Sequence, residues 1–145
     1  MSAIEIGPGY TFIKPSGPPD NPHVPHVFVV LTRPFSAPGF SDSVVTVPIT
    51  KAPKVMSRGK ASFDETCLLS VGCHPLITDP SYAYYLLAQI ECAYTIQTRA
   101  HTIWRRQEFL DPNSKIFKDI ARGLLVSDHV QPIVQSFYLD ANCKT

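Results

Sequence analysis

Residues 26–32 read His26-Val27-Phe28-Val29-Val30-Leu31-Thr32, a run that is almost entirely apolar and rich in β-branched side chains. A second run of the same character, Val44-Val45-Thr46-Val47-Pro48-Ile49-Thr50, follows it. Runs that are apolar on both faces are typical of strands in the centre of a sheet. We therefore predict two central strands, and Pro48 moves the end of the second towards an edge or a bulge.

The segments around these runs predict shorter strands and loops. Residues 10–13 (YTFI) form a short β-type run, and residues 16–25 carry four prolines. Proline removes an amide donor and fixes φ, so this segment is a surface loop, and loops of such length are often functional. Residues 51–64 (KAPKVMSRGKASFD) predict an exposed basic loop, and residues 66–70 predict a short strand.

Residues 82–92 are ambiguous in sequence. Their Ala, Leu and Gln content permits a helix, whereas their aromatic side chains and their short length permit a strand. We favour a strand here, followed by a further strand or extended segment over residues 94–101.

The C-terminal part predicts two helices. Ile116, Ile120 and Leu124 recur at a spacing of four after Pro112, which suits a first helical turn, and Gly123 is a plausible break. Ser127 or Asp128 can cap the second helix. Its apolar face would be formed by Val130, Ile133, Val134 and Phe137.

This order of strands first and helices last predicts a mainly β fold, a small barrel or curled sheet with helices packed on it. The length of 145 residues fits a single domain, with a β core over residues 9–101 and C-terminal helices over residues 112–140.

Composition narrows the class of protein. Hydrophobic residues make up 44% of the chain and charged residues 17%, which is enough apolar material for a real core. A formal net charge of +1 argues against a strongly basic nucleic-acid binder, although it leaves room for a local basic groove. We see no membrane-spanning run and no signal peptide, and so expect a soluble, cytoplasmic protein without a membrane partner. The four cysteines form no Cys-x-x-Cys pair, and we expect reduced thiols.

Two sets of motifs point to a family. The first comprises a strand opened by Gly9, a strand ending in Val-Val-Leu-Thr at residues 29–32, a strand ending in Pro-Ile-Thr at 48–50, and the tail Ile-Ala-Arg-Gly-Leu-Leu-x-Ser-Asp at 120–128. The second is Gly-Cys-His-Pro at 72–75 followed by Ser-Tyr-x-x-Tyr at 81–85. Together they resemble the PemK/MazF-like toxin superfamily, loosely over residues 9–139, and the second set is similar to small bacterial proteins described as PemK-like.

The resemblance implies an SH3-like barrel and metal-independent cleavage of single-stranded RNA without a cofactor. It also implies an antitoxin protein that blocks the site and, commonly, a homodimer. In such cleavage a ribose 2′-hydroxyl attacks the adjacent phosphate, which needs a base, an acid for the 5′-oxygen and a donor array for the charged intermediate. Thr50 lies at the position of the family's catalytic hydroxyl residue.

The chain departs from the family at the strand-entry arginine, where it has Pro25-His26. Three alternatives follow. His26 replaces the arginine, or Arg33 or Arg58 supplies the positive charge from a loop, or the fold has lost nuclease activity.

The candidate catalytic residues are therefore His74, Thr50 and His26. His74 lies in a tight turn that would hold its ring, and the ordinary pKa of histidine suits acid–base work near neutrality. The alternative for His74 is a structural histidine bonded to a backbone carbonyl, and for His26 a solvated residue at a strand end.

The candidate substrate-binding residues are Lys51, Arg58, Ser81, Tyr85 and Arg33. Lys51 and Arg58 belong to the basic loop and could contact phosphate beside Thr50. Ser81 and Tyr85 belong to the segment that carries the resemblance, although a turn cap and aromatic core packing are their ordinary roles.

A metal site is not expected. Cys67, Cys73 and His74 match no standard zinc spacing, and a fourth ligand is not evident.

The alternative function, from a different class, is a non-catalytic SH3-like interaction module that binds a protein or peptide partner. A nuclease needs its acid–base and cationic groups to converge on one point, whereas an interaction module can scatter them and expose an apolar patch instead.

Overall fold

The computed structural model describes residues 6–15, 25–51, 65–75, 77–102, 105–106 and 110–143. Within these residues the chain forms one antiparallel sheet and three α-helices. The strands are β1 (Thr11–Pro15), β2 (Pro25–Val30), β3 (Phe35–Ala37), β4 (Phe40–Lys51), β5 (Leu68–Leu69), β6 (Ser81–Ala83), β7 (Gln89–Cys92) and β8 (Arg105–Arg106). The helices are α1 (Ala93–Thr102), α2 (Lys115–Val126) and α3 (Pro132–Cys143).

Strand β4 is the centre of the sheet, because each of its edges pairs with two shorter strands. One edge pairs with β3 and then β2, and the other pairs with β7 and then β6. The order β5-β6-β4-β2-β1-β8 runs across the sheet, with β3 and β7 pairing β4 off this path. The prediction that residues 26–32 and 44–50 form central strands is confirmed.

Pro48 lies inside this central strand rather than at an edge or a bulge. Its carbonyl accepts a 2.8 Å hydrogen bond from the Tyr84 N–H. Along β4, Pro48 lies between the stretch that pairs with β7 and the stretch that pairs with β6. In an extended strand the N and C=O of one residue face the same edge, so the missing N–H of Pro48 faces this gap between β6 and β7. No ladder hydrogen bond to β2 is therefore lost.

Alternation along β2 and β4 buries both faces of the sheet. Val29, Val45 and Val47 lie in one cluster together with residues of α2 and α3. Phe28 and Val30 lie in a second cluster, on the opposite face, with α1. The second cluster consists of Ile6, Tyr10, Phe12, Phe28, Val30, Val44, Ala93, Ile96 and Ala100.

The two C-terminal helices are confirmed, but their boundaries differ from the prediction. Helix α2 begins at Lys115, and its N-cap is Ser114, whose hydroxyl accepts from the Phe117 N–H at 3.3 Å. Helix α3 begins at Pro132, which takes the first-turn position that we had assigned to Pro112. The predicted break at Gly123 is wrong, because this glycine lies within α2.

The predicted strand over residues 94–101 is also wrong. This segment belongs to α1, and residues 82–92 divide into β6, a single 3₁₀ turn (Tyr85–Leu87) and β7. The helix forms because Ala93, Ile96 and Ala100 stand at helical spacing and bury one narrow stripe against the sheet.

The mainly β architecture with helices agrees with the prediction. Among the described strands, β5 and β8 end the sheet order and do not pair with each other, so the sheet is not closed over these residues. The SH3-like barrel stays a prediction. Within the described part of the chain, no helix has the length and apolar character that crossing a membrane requires.

Candidate functional site

A cavity of about 470 Å³ lies at one end of the sheet. Antiparallel pairing brings the start of β2, the end of β4 and the start of β6 to this end, and the segment before β6 closes the wall. Its described lining consists of Pro25, His26, Val27, Ile49, Thr50, Lys51, Ile77, Thr78, Asp79 and Ser81.

Four of the eight residues predicted for the site line this cavity: His26, Thr50, Lys51 and Ser81. They come from three strands that are distant in sequence. Pairing places Lys51 directly opposite Ser81, and Thr50 directly opposite Tyr82.

Strand alternation divides these four residues between the two faces of the sheet. Lys51 and Ser81 share a face with Ile49, which packs towards α2 and α3. Thr50 follows the opposite parity, and His26 is two residues before Phe28, which packs towards α1. All four nevertheless line the cavity, because it lies at the end of the sheet, around the strand ends.

The surroundings of His26 disfavour its charged form. It is partly buried and lies opposite Lys14 on the neighbouring strand β1. Desolvation by burial lowers the pKa of His26 below its usual value of 6.5. The imidazole therefore stays uncharged, and able to accept a proton, at a lower pH than an exposed histidine does.

Lys51 and Asp79 form an ion pair at the mouth of the cavity, with 3.2 Å between Nζ and Oδ2. The Ser81 hydroxyl donates a 2.8 Å hydrogen bond to the main-chain carbonyl of Asp79. In sequence, Asp79-Pro80-Ser81 predicts only a turn, and the Asp79 carboxylate is not among the predicted site residues. The register of Lys51 against Ser81 could have revealed it, but register is not readable from sequence.

His74 lies beside the cavity but is not among its described lining residues. The predicted tight turn is present: Gly72 has a φ of +85° and its N–H donates to the Ile77 carbonyl. The His74 carbonyl accepts from the Ile77 N–H at 2.9 Å, and Ile77 lines the cavity. The backbone of His74 is thus tied to the cavity wall.

Tyr85, predicted to contact substrate, lies in the core instead. Its side chain is fully buried, and its hydroxyl donates a 2.7 Å hydrogen bond to the Ile120 carbonyl in α2. The rings of Tyr82 and Tyr84 pack edge to face with 5.9 Å between their centroids. Aromatic packing, the ordinary alternative for these tyrosines, is what the structure shows.

Arg33 lies away from the cavity. It is exposed and follows the C-terminal end of β2, whereas His26 lies at the N-terminal end of that strand. The part of β2 from His26 to Val30 alone spans roughly 13 Å, and Arg33 lies beyond Val30, so Arg33 does not supply charge beside His26. Arg58, with Lys54 and Lys60, falls outside the described residues.

A second polar group that the sequence did not reveal lies on the α1 face of the sheet. Lys14 Nζ is 2.6 Å from Glu91 Oε1 and 4.6 Å from the centre of the Phe28 ring. The Thr46 hydroxyl donates to Glu91 Oε2 at 2.7 Å. Because Lys14 is the direct cross-strand neighbour of His26, this nearly buried group borders the site.

Metal ligands do not converge in the part of the chain that the structure describes. No group of three or more His, Cys, Asp or Glu side chains there could hold an ion. All four cysteines are described and free, with Cys67 buried and Cys73 exposed.

Comparison with known proteins finds no matching family model, no matching curated protein and no matching solved structure.

Proposed function

We propose that this protein is a metal-independent endoribonuclease that cleaves single-stranded RNA at the cavity where β2, β4 and β6 meet. One observation supports this proposal above the others. Residues 26, 50, 51 and 81 were selected from sequence for this chemistry, and all four line one cavity. The proposal includes a divergent PemK/MazF-like SH3 barrel, an antitoxin protein that blocks the cavity, and a homodimer.

The chemistry assigns a role to each residue. His26, whose pKa is lowered by burial, accepts the proton of the ribose 2′-hydroxyl as its oxygen attacks phosphorus. Lys51 and the Thr50 hydroxyl stabilise the negative charge that develops on the phosphoryl oxygens. The bond to the 5′-oxygen then breaks and leaves a 2′,3′-cyclic phosphate. His74, in the adjacent turn, is the candidate acid that protonates the leaving oxygen.

The test is cleavage of a mixed-sequence single-stranded RNA in EDTA. We expect His26→Ala to lower the rate by at least roughly a hundredfold, since general base catalysis contributes about 10²- to 10⁴-fold. Thr50→Val should have a similar effect, because removal of one donor to the developing charge costs about 10²- to 10³-fold. His129→Ala is the matched control, because His129 is exposed in the turn between α2 and α3. His74→Ala tests the acid. Equal rates for the wild type and His26→Ala would reject this site.

A non-catalytic interaction module is the second candidate. Leu68 and Val126 are 59% and 64% exposed, and both line a hollow of about 260 Å³ between β5 and α2. Exposed apolar side chains at one hollow are typical of surfaces that bind another protein. If folded wild-type protein leaves every RNA intact, this candidate replaces the nuclease. Leu68→Lys should then abolish binding of the partner protein while the free energy of unfolding stays unchanged.

A further inference from the structure

The ion pair at the cavity mouth joins a long, exposed side chain to a short one whose backbone is held by its neighbours. The Lys51 side chain is 76% exposed at the last residue of β4. Asp79 is 47% exposed, and its backbone is fixed by Pro80 and by the hydrogen bond from Ser81. Ser81 in turn pairs with Lys51 in the sheet. The backbone of Asp79 is therefore held beside the cavity and its short side chain stays near the wall, whereas the longer Lys51 side chain can rotate away from it.

An exposed ion pair of this kind is weak, because solvent screens both charges. An anion that enters the cavity can therefore replace Asp79 as the ion-pair partner of Lys51. To do so, however, the anion must first break the ion pair between Lys51 and Asp79. Asp79 thus lowers the affinity of the cavity for any anion that depends on Lys51.

We infer that Asp79 is a specificity residue that competes with the substrate phosphate for Lys51. A free phosphate or mononucleotide depends on Lys51, the one lysine or arginine among the described lining residues, so competition from Asp79 acts on its binding in full. An oligonucleotide also places neighbouring nucleotides on the surface around the cavity, and because these supply further contacts it depends less on Lys51. The site therefore selects a polymeric phosphodiester over small phosphate anions. This inference rests on the proposed function, since it names the substrate class of the same cavity.

The experiment measures binding of two probes to the intact chain at constant ionic strength. One probe is inorganic phosphate, followed by the NMR shifts of the Lys51 and Ser81 amides. The other is a deoxyoligonucleotide of about six nucleotides, which cannot be cleaved because it has no 2′-hydroxyl. The variants are Asp79→Asn, Lys51→Met and the double variant. Asp42→Asn is the matched control, because it makes the same charge change at the other end of β4, roughly 30 Å away.

Asp79→Asn should tighten phosphate binding by roughly two- to fivefold, the factor that corresponds to an exposed ion pair. The gain should be smaller for the oligonucleotide and should disappear in the Lys51→Met background. A gain that persists without Lys51, or an equal gain in Asp42→Asn, would show a general charge effect and overturn the inference. Unchanged or weaker binding by Asp79→Asn, or no binding of either probe, would also overturn it.

RNA cleavage separates this inference from the proposed function. If Asp79→Asn shows the Lys51-dependent gain but the wild type cleaves no RNA, Asp79 is a specificity residue of an anion site and the nuclease proposal fails. If the wild type cleaves RNA but the gain is absent, the nuclease proposal stands and the inference fails.

Discussion

The ring of Tyr85 occupies the space that a side chain at Gly123 would need. A Cβ built on Gly123 would collide with the Tyr85 hydroxyl oxygen and would lie 2.7 Å from Cζ of the ring. That hydroxyl also donates to the Ile120 carbonyl in the same helix. Because residue 123 has no side chain, α2 can pack closely against the 3₁₀ turn that carries Tyr85. The hydrogen bond from Tyr85 to the Ile120 carbonyl then holds the helix on the core.

Gly123→Ala should destabilise the fold. In an open helix interior, alanine is better than glycine by about 1 kcal/mol. Here we expect a net loss of roughly 1–3 kcal/mol in the free energy of unfolding, because the methyl group overpacks a rigid ring. Urea denaturation measures the change. Ser136→Ala, at an exposed position in α3, is the control and should change stability little. A gain in stability for Gly123→Ala would contradict the contact.

The sequence predicted the central strands and the C-terminal helices, because their apolar patterns need no partner to be recognised. Helix α1 was missed because its buried stripe consists only of Ala93, Ile96 and Ala100, between residues that also suit strands. Gly123 was misread as a break because its partner, Tyr85, is distant in sequence.

The candidate site was predicted mainly through the family resemblance, which pointed to Thr50, His26 and Ser81. Lys51 was predicted as a phosphate contact because it belongs to the basic loop beside Thr50. The ends of β2, β4 and β6 bring these four residues to one cavity. Asp79 could not be selected, since its role depends on which strand pairs with which. The same holds for the group formed by Lys14 and Glu91.

The ion pair between Lys14 and Glu91 should behave as a buried pair. It joins β1 to β7 across β2 and β4, and only 14% and 15% of the two side chains are exposed. Lys14→Met or Glu91→Leu alone leaves an uncompensated charge, so each should cost roughly 3 kcal/mol of unfolding free energy. The double variant should cost less than either single change. Lys115→Ala, which breaks the exposed pair with Asp119, is the control and should cost under about 0.5 kcal/mol. If the loss of unfolding free energy in the double variant equals the sum of the two single losses, Lys14 and Glu91 do not interact as a buried pair.

The cysteines should differ in reactivity. Cys92 directly precedes α1, and hydrogen bonding from the Thr95 backbone N–H, partly opposed by burial, lowers its pKa below 9.0. Burial raises the pKa of Cys67 to about 11, against a weaker opposing hydrogen bond with Tyr85. At pH 8, iodoacetamide should modify Cys92 at least roughly a hundredfold faster than Cys67, since two pKa units reduce the thiolate a hundredfold. Peptide mass spectrometry measures both rates, and Cys92→Ser identifies the fast site. Comparable rates in the folded protein would refute the difference in environment.

His26 should make the stability of the fold depend on pH. Burial lowers its pKa in the folded protein, whereas the unfolded chain titrates near 6.5. Between these two pKa values the unfolded state binds more protons, so the free energy of unfolding rises with pH across that window and falls as the pH drops below about 6.5. His26→Asn removes this contribution, and the difference between wild type and variant isolates it from other titrating groups. Urea denaturation between about pH 5 and pH 8 measures it, with the exposed His129→Asn as control. If the wild type and His26→Asn lose stability in parallel as the pH falls, the imidazole is as well solvated in the folded protein as in the unfolded chain, and the assignment of His26 as a desolvated neutral base is wrong.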